Sequence, residues 1–263
     1  MARFVLTGVF VVLCWNQPID TNNVIYMMNS SGLPPLPHLS LEYEFLNYLV
    51  QEHLQPGDRV PALGELSSEL CISVSKLREQ LEVARSLGLV TVRPRTGIHR
   101  QEFDFMPAVR LSLFFAVANN ISHFDDYSAL RVHVEQSFWR EAVQSLTGDD
   151  KHHLCALVDR AWEKLRGNPV RIPHSEHRQF HLTIFSRIDN AFVRGILEAY
   201  WEAYEAVQLN TYADLAYLNQ VWTYHERIAD AIMAGDIDAS LQAFEEHTRL
   251  LPNLAETPPS ESD

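Results

Sequence analysis

Apolar residues recur along the chain at two periods, helical and alternating, and the stretches where each holds mark out the fold. Within residues 40–54, Leu41, Phe45, Tyr48 and Leu49 fall on one face and predict a first helix. Leu63, Leu66 and Leu70 predict a short second helix, followed by a tight turn at Cys71-Ile72. Ser73 is placed to cap a third helix, where Leu77, Leu81, Ala84 and Leu87 at three- and four-residue spacing bury one face and leave Ser75, Lys76 and Arg78 free on another. Gly88 ends that helix. Leu89-Val90-Thr91-Val92 then alternates as a strand, residues 93–97 turn, and Ile98-His99-Arg100 returns as its partner. This order predicts a winged helix-turn-helix over residues 38–101.

Beyond a short connector, residues 101–107, the period is helical throughout. Seven segments are expected, at 108–119, 125–146, 149–166, 172–187, 190–209, 214–234 and 236–254. Breakers at Gly148-Asp149, Gly167-Asn168-Pro169, Asp189-Asn190 and Gly235-Asp236 separate most of them. The chain is therefore read as mainly α: a winged helix-turn-helix followed by an all-α antiparallel bundle over residues 108–255. Residues 256–263, rich in Pro, Ser and acid, are expected as a flexible tail. Residues 1–37 are read as a leader. Its apolar run, Phe4 to Trp15, resembles a signal peptide but is too short to span a membrane. The natural start is placed at Met27 or Met28, with a peripheral anchor as the alternative reading of the run.

Charge changes the picture of what the winged region touches. The formal net charge is -13, but residues 102–263 hold 13 Lys or Arg against 25 Asp or Glu, whereas Lys76 to Arg100 holds six against two. A basic edge on an acidic body suits a duplex while limiting non-specific contact. The reading helix would enter the major groove, with the hairpin tip at phosphates or the minor groove. Candidate DNA-binding residues are Arg59, Ser73, Ser75, Lys76, Arg78, Arg93, Arg95, Thr96 and Gly97. A winged helix used for protein contacts is the alternative. Three cysteines, Cys14, Cys71 and Cys155, show no paired spacing, which points to a reducing, cytoplasmic setting without a thiolate metal site.

The order Pro-Gly-Asp-Arg-x-Pro, Glu-Leu, Ser-x-Ser-x-x-Arg-Glu-x-Leu, Gly-Leu-Val and Arg-Pro-x-x-Gly resembles the DNA-binding domain of GntR-type bacterial transcription regulators. The resemblance implies an operator as partner and a homodimer reading a palindromic site. Where this chain has Gly64 and Val74 the family usually carries arginines that reach the DNA.

Histidine placement is the informative feature of the bundle. His177 and His181 are four apart and share a helical face, with His174 one turn earlier. His225 precedes the Gly235-Asp236 turn by ten residues and His247 follows it by twelve, so they stand roughly 15 and 18 Å from it on antiparallel helices. Four imidazoles at matched height suit a borderline divalent ion: zinc first, with nickel, iron or manganese as alternatives. The alternative for each is an ordinary core or surface histidine. The aromatic residues Tyr200, Trp201, Tyr204, Tyr212, Tyr217, Trp222 and Tyr224 are read as bundle core rather than a ligand cage.

The bundle resembles the FCD ligand-binding domain of the FadR branch of that family, on the residues His177-Arg178-Gln179-Phe180-His181, His225-Glu226-Arg227-Ile228 leading to Ala234-Gly235-Asp236, and His247. Metal-binding relatives carry Asp where this chain has His177, which leaves the site one negative charge poorer. The segment Leu130-Arg131-Val132-His133-Val134-Glu135 resembles the family's Leu-x-x-Arg-x-x-x-Glu helix, whose Arg faces the effector cavity. Arg131 and Glu135 are accordingly the candidate effector-binding residues, for a small organic acid held by the guanidinium and the metal. On its own the pair reads equally as a surface ion pair.

The chain is thus expected to be a transcription regulator rather than an enzyme. A metal-dependent helical-bundle enzyme is the rival, with Glu176 and Glu226 as the nearest general bases, each reading equally as solvent-facing. A third reading makes the metal a structural staple only.

Overall fold

The computed structural model describes residues 41–207 and 214–250. The expectations for the leader, the tail, Tyr212 and the end of the last predicted helix lie outside the described residues.

The winged region is built from α1 (Glu44–Gln51), β1 (Arg59–Val60), α2 (Leu63–Glu69), α3 (Val74–Ser86), β2 (Val90–Arg93) and β3 (Gly97–Arg100). Phe45, Leu66, Leu77 and Ala84 are fully buried and form its core with Val60 and Val90. The turn between α2 and α3 is closed by Cys71 in the left-handed region (φ 55°) and by Ser67 Oγ donating to the Ile72 carbonyl. Ser73 Oγ accepts from the Lys76 amide and caps α3. The sheet has three antiparallel strands in the order β1-β3-β2, where the sequence reading has two. β1 is only two residues long, too short to show an alternation, yet it pairs Arg59 with His99 and Val60 with Ile98.

Seven helices follow: α4 (Met106–Asn119), α5 (Ser122–Ser145), α6 (Gly148–Arg166), α7 (His174–Ile184), α8 (Ala191–Ala206), α9 (Leu215–Ala234) and α10 (Ile237–Thr248). All seven correspond to predicted segments. α4 begins two residues earlier than expected because Pro107 occupies the first turn, where its missing N–H is tolerated, instead of preceding the helix. α7 is shorter at both ends than its apolar spacing suggests. The carboxylate of Asp150 returns a bond to the Thr147 amide while Thr147 Oγ1 caps Asp150, which starts α6 sharply. Gly235 (φ 75°) closes α9 and turns the chain into α10, whose Asp236 cap accepts from the Ala239 amide. Trp139 of α5 stacks on Phe244 of α10 at 4.4 Å and donates its indole N–H to Ser240 Oγ, which ties the α9-α10 hairpin to α5 at its far end.

α8 packs along α4 so closely that a Cβ on Gly195 would stand 2.7 Å from the Met106 backbone nitrogen and 2.9 Å from Phe105. Backbone cannot yield as a side-chain tip can. Gly195→Ala is therefore expected to destabilise the protein by about 1–3 kcal/mol in urea unfolding. An unchanged midpoint would show that α4 shifts freely.

Candidate metal centre and DNA-reading surface

α7 contributes His177 and His181 one turn apart, α9 contributes His225 and α10 His247. One ring nitrogen from each lies within 4.8 Å of the others, and all four residues are buried. The helix hairpin about Gly235 brings His225 and His247 to the same height, with ring centroids 4.5 Å apart. His225 Nδ1 donates to the Val221 carbonyl at 2.8 Å, which leaves Nε2 bare and facing inward, 3.2 Å from His181 Nε2. On its other side, His181 Nδ1 stands 3.5 Å from Glu135 Oε1. His177 Nε2 and His247 Nδ1 are buried without a hydrogen-bond partner.

Burial pushes all four imidazoles below their ordinary pKa. The three neighbouring rings add to this at His177, while the Glu135 carboxylate opposes it at His181. The rings are consequently neutral near pH 7, with lone pairs available. Imidazoles on one zinc ion at about 2.0–2.1 Å hold their nitrogens about 3.3 Å apart. The His181–His225 pair already has that spacing. The widest separation, 4.8 Å, exceeds it. Donor type, number and protonation state fit a borderline divalent ion.

The walls are aromatic. Trp201, Tyr204 and Trp222 have ring centroids 4.7, 5.6 and 6.1 Å from that of His177. These residues, expected as bundle core, are core and lining at once. Arg131 and Glu135 are brought to the same place. Both are sealed from solvent, with Arg131 Nη1 3.4 Å from Glu135 Oε2, so the pair is no surface salt bridge. The Arg131 guanidinium lies 4.4 Å over the Tyr200 ring, and its Nε and Nη2 have no partner. His174 is exposed and stands apart. Glu176 is buried, with Lys164 Nζ donating to it at 2.6 Å; Glu226 is exposed.

On the winged region, Arg59, Ser75, Arg78, Arg93, Arg95 and Thr96 are exposed, and the wing turns through Arg95 (φ 68°) and Gly97 (φ 92°). Two expected contacts are otherwise engaged. Ser73 is exposed, but its hydroxyl caps α3. Lys76, read as free, is ion-paired with Glu44 of α1 at 2.7 Å. Gln80 also donates to Glu44, and with Lys76 it holds the Glu44 carboxyl down at about 2. The sequence reading missed this pair because nothing in either segment shows that α1 begins beside the first turn of α3.

Residues 40–99 match the family profile of the bacterial regulatory proteins of the gntR family, and residues 126–250 match the FCD domain. The chain belongs to the GntR family, in its FCD-bearing branch. Among its relatives, the HTH-type transcriptional regulator YieP of Escherichia coli is 24% identical over 78% of this chain and 90% of its own length. The Uxu operon transcriptional regulator of the same organism is 22% identical over 84% of this chain and 87% of its own. The solved structure of a GntR protein from Streptococcus agalactiae superposes with a TM-score of 0.56 at 17% identity, over 78% of this chain and 94% of that one, which supports the fold.

This GntR-family protein is therefore a DNA-binding transcription regulator and not an enzyme. Among the described residues, no helix is long and apolar enough to cross a membrane. Gly64 is exposed on α2 and Val74 half-buried at the start of α3, so neither offers the charged side chain that the family usually presents there. Glu44→Gln is expected to release Lys76, tighten DNA binding at low salt and steepen the slope of log affinity against log salt by about one. Fluorescence anisotropy over a salt series measures it, and an unchanged slope would mean that Lys76 does not reach phosphate.

Proposed function

We propose that this regulator reads its operator with the exposed start of α3 and the Arg93-Arg95-Thr96-Gly97 wing tip, as a homodimer on a palindromic site, and that its FCD domain senses a small organic acid at a divalent metal centre. His177, His181, His225 and His247 would hold the ion. The observation that carries the reading is the pair of inward-facing Nε2 atoms of His181 and His225 at 3.2 Å, within a set of four buried neutral rings. With the Nδ1 of His225 donating to the Val221 carbonyl, its Nε2 lone pair faces His181, and a cation between the two nitrogens would be held by both rings once the His181 proton sits on Nδ1. When bound, a divalent ion supplies positive charge and, if more than four-coordinate, a position for a carboxylate oxygen. Arg131 supplies the second point of attachment through its unpartnered Nε and Nη2. Occupancy would bias the angle between the two bundles of the dimer and so the spacing of the reading helices.

One observation favours a second reading. Four imidazoles complete a tetrahedral shell, so a zinc ion held by all of them is closed to an effector and acts as a staple; nickel, iron or manganese at higher coordination keeps positions open. Binding of the protein to the DNA upstream of its own gene, against random duplex at moderate salt and again after chelation, separates these readings. Preferential binding that chelation alters supports the sensor. Preferential binding that survives chelation, with a lowered melting temperature, supports the staple. Equal, weak binding to both duplexes would count against the operator reading.

A further inference from the structure

Glu135, like Arg131 beside it, is a charged group at the histidine cluster that is wholly buried in α5. Its Oε1 faces His181 Nδ1 at 3.5 Å and its Oε2 faces Arg131 Nη1 at 3.4 Å. A neutral imidazole carries one proton and offers a lone pair at the other nitrogen only. His181 meets the cluster through Nε2, 3.2 Å from that of His225, so it is a ligand only if its proton stays on Nδ1. Among the described residues, that Nδ1 is buried and has no hydrogen-bond partner. For His225 the backbone solves the same problem, with the Val221 carbonyl accepting from Nδ1. The two rings lie on different helices and use different acceptors to the same end.

We propose that Glu135 is a positioning residue that keeps the proton of His181 on Nδ1 and thereby presents a bare Nε2 to the metal, while Arg131, 3.4 Å from Oε2, holds Glu135 in place. Carboxylates behind metal-binding imidazoles orient the ring and raise its basicity. This assignment rests on the metal-centre reading above, and it moves Glu135 from the effector contacts to the support of the metal site.

Two variants of the full chain test it. Glu135→Asp keeps the charge opposite Arg131, so it spares the fold, but retracts the carboxylate from His181. Glu135→Gln keeps the reach and an acceptor oxygen while losing the charge. In the chelated protein, nitrogen-15 NMR of the histidines is expected to show His181 as the Nδ1–H tautomer in the wild type and in Glu135→Gln, and as a mixture in Glu135→Asp. Zinc affinity, measured by competition with a chromophoric chelator, is expected to fall about 10–100-fold in Glu135→Asp and less in Glu135→Gln. A proton on Nε2 of wild-type His181 would overturn the assignment, as would a Glu135→Asp protein that binds zinc as well as a zinc-binding wild type. A wild type that takes up no zinc at all removes the metal centre and, with it, this role.

Discussion

Zinc added to the chelated protein is expected to raise its melting temperature by about 10 °C. A ligand that binds the folded state alone stabilises it by RT ln(1 + [L]/Kd), about 4 kcal/mol at a thousand-fold excess over Kd, and a protein of this size moves by about 2–4 °C per kcal/mol. The size of the effect follows from where the ligands lie. His177 and His181 are on α7, His225 on α9 and His247 on α10, so one ion would join three helices that the metal-free protein holds together around a buried set of lone pairs. Without the ion, His177 Nε2 and His247 Nδ1 are desolvated with nothing in exchange. Differential scanning fluorimetry after exhaustive chelation, with and without zinc, gives the shift. His133 is exposed and serves as a control, so His133→Ala should shift as the wild type does and His225→Ala should not respond. A wild-type response no larger than that of His225→Ala would sink the metal centre and leave four core histidines.

The parts of this site that were legible in the sequence share a feature: each depends on spacing within one helix or across one short turn. His177 and His181 at four residues, and His225 and His247 at matched distance from Gly235, needed only helical geometry and one glycine turn, and the structure places all four rings together. The recognition helix and wing were readable for the same reason. The hidden parts depend on which helices become neighbours. Arg131 and Glu135 were visible as a pair on one face of α5, but not that α5 packs on α8 and α10 with this pair turned toward the histidines, so the approach of Glu135 to His181 was out of reach. The same holds for Glu44 and Lys76, 32 residues apart, and for Lys164 and Glu176, a pairing that accompanies the burial of a carboxylate whose exposure the sequence left open. β1 was missed for a different reason, since two residues cannot display a period.

Arg131→Leu is expected to cost about 3–5 kcal/mol of stability, more than any surface substitution in the bundle, because it leaves the Glu135 carboxylate buried and unpaired. The loss does not measure what the ion pair contributes. Arg131 and Glu135 are 1% and 0% exposed, and their separation of 3.4 Å is at the long end for a direct ion pair, so desolvation of both offsets much of their attraction. The double variant Arg131→Leu, Glu135→Leu removes both charges and is expected to recover most of the loss in the chelated protein. Its zinc affinity is expected to stay low, because His181 has lost the acceptor for Nδ1. Urea unfolding of the four proteins in the thermodynamic cycle measures the coupling. If Arg131→Leu alone is as stable as the wild type, Arg131 is not what holds the buried Glu135 in place. The guanidinium over Tyr200 would then be free for an effector acid without disturbing the metal ligands, and the two halves of the site would act independently. A recovered double variant that also binds zinc normally would instead separate stability from positioning, and assign His181 its tautomer by some other contact.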